Sequence, residues 1–96
     1  VFLQLRRKTS DIYYYKTSQN FEVDFFLPRK SMLIQVSQYF DVDETKEREL
    51  RALIAASAEQ KKSAKLIVVT EGEKQNIERE GSHIEVIQLY EWLLKY

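Results

Sequence analysis

Glu22-Val23-Asp24-Phe25 and, beyond a turn at Pro28, Leu33-Ile34-Gln35-Val36-Ser37 are the two segments on which the reading of this chain turns. Polar and apolar residues alternate in both, which is the period of a half-buried strand. The spacing predicts that Glu22, Asp24, Gln35 and Ser37 share one polar face. Any chemistry is expected there. Outward from this pair, Ile12 to Leu27 reads as two strands rich in Tyr, Phe and Val, joined at Thr17-Ser18-Gln19-Asn20. Pro28-Arg29-Lys30 makes the next turn, because proline has no N–H to give to a sheet ladder. A third strand is expected over about Met32 to Tyr39.

Asp41-Val42-Asp43-Glu44 reads as a helix start, with Asp41 as cap and Glu44 completing a capping box. Leu50, Leu53, Ile54 and Ala58 fall on one side at helical spacing, and Glu44 with Arg48 and Glu47 with Arg51 form i,i+4 pairs on the other. The continuous apolar run Leu66-Ile67-Val68-Val69 suits a strand covered on both faces. Strand, helix, strand implies a right-handed crossover with parallel pairing of Met32–Tyr39 and Ala64–Thr70. Gln75 to Gln88 alternates around Gly81-Ser82 as a second hairpin, and Leu89 to Tyr96 reads as a short terminal helix. At the other end, Val1-Phe2-Leu3-Gln4-Leu5-Arg6-Arg7-Lys8 reads as the last turns of a helix truncated from a longer protein.

Composition bounds the function. Ninety-six residues make one domain, 1–96, with room for a single core. An apolar share of 44%, 12% of the chain being aromatic, excludes a disordered chain. Fifteen basic residues balance fifteen acidic ones, which argues against strong non-specific binding of polyanions. The absence of cysteine removes disulfide scaffolds and thiolate metal sites. No apolar run is long enough to cross a bilayer, so a cytoplasmic location and no membrane partner are expected.

The order helix, three strands, helix, strand, with an acid on the second strand and a polar pair on the third, resembles the PD-(D/E)XK nuclease superfamily. More narrowly, Tyr13-Tyr14-Tyr15-Lys16-Thr17, Glu22-Val23-Asp24-Phe25, Leu33-Ile34-Gln35-Val36 and Leu89-Tyr90-Glu91-Trp92-Leu93-Leu94 resemble the nuclease-like C-terminal domain of bacterial and archaeal AAA+ family ATPases, a domain of unknown function. The resemblance implies an α/β fold: a restriction-endonuclease-like α-β-β-β-α-β core with a mixed sheet, plus a C-terminal hairpin and short helix. It also implies that an ATPase module precedes this domain in the same chain.

In active members of that superfamily, an acid on the second strand and one on the third hold Mg²⁺, and a lysine two residues later positions water. By that resemblance Asp24 matches the first acid, Gln35 stands at the second acid's place and Ser37 at the lysine's. Gln4 stands where the first helix often carries a glutamate. A carboxamide keeps an oxygen but loses the charge, and serine replaces no ammonium group. Glu22 is the remaining carboxylate, roughly 6.6 Å along the strand from Asp24, too far to share one ion easily. The site residues are thus Asp24, Gln35 and Ser37 as vestigial positions, with Glu22 beside them and Asp24 as the one weak metal ligand. No cofactor is expected in this domain beyond weak Mg²⁺ or Mn²⁺, and ATP belongs only to the upstream module.

Each of these residues also has a plainer use. A solvated strand face accounts for Glu22 and Asp24. Tyr13, Tyr14 and Tyr15 cannot all face one way, so core or interface packing competes with base stacking. Arg6, Arg7 and Lys8 on a helix end, and Arg29 and Lys30 at a strand turn, form basic clusters suited to a phosphate backbone, as against ordinary solvated loops. Lys61, Lys62 and Lys65 form a third. His83, the only histidine, has no cysteine to join it in a zinc site. The expectation is a catalytically degenerate domain serving an ATPase as a nucleic-acid-docking or protein-interaction module, with DNA as a candidate partner. Two alternatives stay open: a structural or homo-oligomerisation domain acting through the tyrosine-rich hairpin or the Trp92 helix, and a weakly active metal-dependent nuclease using Asp24.

Overall fold

The computed structural model describes residues 11–38, 40–60 and 63–95. The expected first helix, and with it Gln4, Arg6, Arg7 and Lys8, lies outside the described residues, as do Tyr39, Lys61 and Lys62. The strands are β1 (Tyr13–Lys16), β2 (Glu22–Leu27), β3 (Met32–Ser37), β4 (Lys65–Thr70), β5 (Gln75–Arg79) and β6 (Ser82–Gln88). The helices are α1 (Asp43–Glu59) and α2 (Leu89–Lys95), and Pro28–Lys30 forms a single 3₁₀ turn. All six strands join one mixed sheet in the order β1-β2-β3-β4-β6-β5. The chain is a small α/β domain.

The connections follow from turn chemistry. Thr17 holds its turn from both sides: its amide donates to the Phe21 carbonyl (2.8 Å), and its hydroxyl accepts the Phe21 N–H (3.0 Å). After the 3₁₀ turn Ser31 adopts a left-handed conformation (φ 51°), and its carbonyl accepts the Lys65 amide at 2.7 Å, starting the parallel β3–β4 pair. That pair runs from Met32 opposite Lys65 to Ser37 opposite Thr70, as the strand-helix-strand pattern implies. The β5–β6 hairpin turns on Glu80 (φ 51°) and Gly81 (φ 78°), a two-residue loop with both central residues left-handed, one position earlier than the Gly81-Ser82 centre expected.

The sheet is covered on both sides, because side chains alternate along every buried strand. Leu33, Leu66, Val68, Ile84 and Val86 face α1, whose Leu50, Leu53 and Ala56 are fully buried. Ile34, Ile67, Val69 and Ile87 face the other way, toward Trp92 of α2. Leu66 to Val69 is therefore the doubly covered strand its composition indicates.

Three expectations for α1 are corrected. The helix begins at Asp43 with Val42 at its N-cap and no side-chain capping bond, so the Asp41–Glu44 box does not form. Its buried stripe takes Ala52 and Ala56, and Ala58 is exposed. On the wet side Arg79 of β5 takes Glu47 at 2.7 Å, and Arg48 lies 3.9 Å from Glu49. Glu47 is thus used to tie helix to sheet instead of pairing within the helix.

Candidate functional site

The region around Asp24 and Gln35 is built on an irregularity in β2. Tyr13 lies opposite Phe26 and Tyr15 opposite Val23, so three steps of β2 face two of β1. The additional residue is a β-bulge at Asp24-Phe25, and it reverses the alternation of β2 from there. Val23 accordingly packs in the α1 core, whereas Phe25 packs with the α2 core although it is two residues away. The shared polar face expected from strict alternation does not form. Glu22 and Asp24 are exposed, whereas Gln35 and Ser37, on the α1 side with Leu33, are 1% and 6% exposed.

The bulge also ends the β2–β3 ladder. Backbone pairing runs from Leu27–Met32 to Phe25–Ile34 and no further. Gln35 spans the gap: its Oε1 accepts the Asp24 N–H and its Nε2 donates to the Glu22 carbonyl, both at 2.9 Å. These two backbone groups flank Val23 and point the same way, so the carboxamide occupies the place of a peptide unit from a neighbouring strand. Asp24 completes the join, its Oδ2 accepting the Val36 N–H at 2.8 Å. The resemblance puts Gln35 at a vestigial acid position, and here both ends of its side chain hold main chain.

Electrostatics around this join are acidic. Glu49 of α1 sits half-buried, and burial first, then the charge of Asp24, pushes its carboxyl up. Tyr14 donates its phenol to Glu22; that bond, ahead of desolvation and the charges of Glu22 and Asp24, raises its pKa to about 12. Among the described residues no three of His, Cys, Asp and Glu converge as a metal site. Hard divalent cations take six or more oxygens. Asp24, one oxygen of which already serves Val36, offers a small share of such a shell. Glu49 is the residue sequence reasoning missed; its spacing from Leu53 and Ala56 places it on the buried stripe of α1.

The basic candidates lie elsewhere. Arg29 and Lys30 are exposed on the 3₁₀ turn, at the opposite end of β2 from Glu22, with roughly 10 Å of strand between Asp24 and the turn. The Arg29 guanidinium pairs with Asp11. Tyr13 and Tyr14 are exposed, and Tyr15 packs edge-on against Phe26 at 5.3 Å and donates to Glu59 at 2.8 Å. Of the three tyrosines, the last serves packing. His83 pairs with Glu78 across the β5–β6 hairpin, in keeping with an exposed histidine. No described helix is long and apolar enough to cross a membrane.

No curated protein and no solved structure matches this chain. A family model does, across residues 1–92, and it includes the bulged β2 and the first turn of α2 up to Trp92. The chain belongs to the DUF4143 family, described as a domain of unknown function.

Proposed function

We propose that this is a restriction-endonuclease-like domain of the PD-(D/E)XK type that has lost catalysis and acts as a binding module, attached to an AAA+ family ATPase. The observation that carries the non-catalytic part is the use of Gln35. A side chain whose oxygen and nitrogen both hold the β2 backbone, at 1% exposure, is structural. Ser37 beside it is buried and neutral, and it brings no charge to position water. The element order and the mixed sheet accord with the nuclease-like core, and the ATPase context rests on the sequence resemblance alone.

What such a module binds is argued from its surface. Zero net charge and exposed Tyr13, Tyr14, Tyr90, Leu93 and Leu94 favour a protein partner. Nucleic-acid docking is the second reading, favoured by exposed Arg29 and Lys30 on one turn. The deciding experiment is a cleavage assay on single- and double-stranded DNA and on RNA, with Mg²⁺ and with Mn²⁺, comparing the protein with Asp24→Ala. No cleavage by either is expected. Metal-dependent cleavage that Asp24→Ala abolishes would return the site to the nucleases.

A further inference from the structure

Where β3 and β4 end, side by side and parallel, a cleft of about 270 Å³ opens between them and the start of α2, floored by Val36, Val69 and Leu89. Crevices at the carboxyl ends of parallel strands are the usual binding positions of α/β sheets. Gln38 and Thr70 lead from it into a second hollow of about 480 Å³. Leu89 leads the other way into a third, of about 400 Å³, against Tyr90 and Leu93. The three form one trough across the end of the sheet. The floor is apolar in the first cleft and toward α2, where Tyr90 is 74% and Leu93 52% exposed, whereas the hollow beyond Thr70 is polar apart from Phe40.

Its rim is acidic. Asp41, Glu71 and Glu73 border the trough, all three are exposed, and among the described residues none pairs with a cation. Asp41 is at liberty because it does not cap α1. Two basic side chains beside the trough are engaged: Lys74 by Glu91 at 3.1 Å, and Lys46 over the Phe40 ring at 5.8 Å. On a chain whose total charge is zero, this is a local negative border at one end of an apolar floor, with Glu71 at the junction. Complementarity then fixes the occupant.

We infer that this trough docks a protein segment that is apolar on one side and lysine- or arginine-rich on the other. The inference deepens the binding-module reading and rests on it. Leu93 and Tyr90 take the apolar side, and Asp41, Glu71 and Glu73 take the basic one.

The probes are two synthetic peptides of equal length, one with a leucine side and a lysine side, the other with glutamate in place of every lysine. Binding is followed by fluorescence anisotropy at physiological salt. The lysine peptide is expected to bind at least tenfold tighter. Glu71→Lys with Glu73→Lys should cancel or reverse that preference, and Leu93→Asp should weaken the lysine peptide at least fivefold. All three positions are exposed, and circular dichroism verifies that each variant is folded. Equal binding of the two peptides, no binding of either, or a preference that survives both variants would overturn the inference. Metal-dependent cleavage by the unmodified protein would instead defeat the non-catalytic reading, whatever the peptides do.

Discussion

A glutamine side chain carries the same carbonyl and N–H₂ pair as a peptide bond, and Gln35 uses both to close the gap that a bulge opens between β2 and β3. The presence of a glutamine on the third strand was legible in the sequence. Its use was not, because nothing in Glu22-Val23-Asp24-Phe25 marks a bulge, and strict alternation then assigned four residues to one face. Glu49 is the reverse case: its place on the helical stripe was readable, but its nearness to Asp24 arises only from how α1 packs on the sheet. With its folded pKa raised by burial, Glu49 favours folding while protonated and opposes it as pH climbs through the raised value. Glu49→Gln should therefore raise the urea midpoint at neutral pH and leave it nearly unchanged in acid. A variant less stable at neutral pH would show that the Glu49 charge has a stabilising partner.

Strands and helices were legible wherever period and turn chemistry agreed. The doubly buried β4, the parallel β3–β4 pair and both hairpins follow from residues that read the same way locally and globally. The start of α1 was misread because Asp41-Val42-Asp43-Glu44 contains the right residue types for a capping box, whereas the chain enters the helix one residue later through Val42. The other end of α1 is anchored by Glu59, which accepts from the Ser18 N–H (2.8 Å), the Ser18 hydroxyl (2.7 Å) and the Tyr15 phenol (2.8 Å). Those bonds, the Ser18 amide's foremost, hold its carboxyl below the usual 4.5. A lowered carboxyl stabilises above its unfolded pKa and loses that contribution as pH falls through the folded value. Glu59→Gln should thus lower the thermal midpoint at neutral pH, with the difference from the unmodified protein vanishing in acid. At the β5–β6 turn, Glu80 holds φ 51° without being glycine or asparagine. Glu80→Asn should stabilise by about 0.5–1 kcal/mol, read from urea unfolding.

Across the whole molecule, the sheet separates two surfaces of opposite character. Arg29 and Lys30 project at the start of β3, and the acidic trough lies at its end. If nucleic acid docks at all, it docks at the basic end, and Arg29→Ala with Lys30→Ala should weaken binding and reduce the slope of log affinity against log salt by about 2. Unchanged affinity would assign binding to another surface. Both surfaces depend on the β2–β3 join, since β3 is the strand that carries one at each end. The most direct test of the account is the urea unfolding of Gln35→Glu across pH, with and without millimolar Mn²⁺. The introduced carboxylate cannot donate to the Glu22 carbonyl, and at 1% exposure its charge is buried. The expected result is a loss of about 2–4 kcal/mol at neutral pH, partial recovery in acid as the carboxyl regains a donor, and no response to Mn²⁺. Undiminished stability would contradict the structural role of the Gln35 carboxamide, and a gain that appears only with Mn²⁺ would place a metal site at position 35.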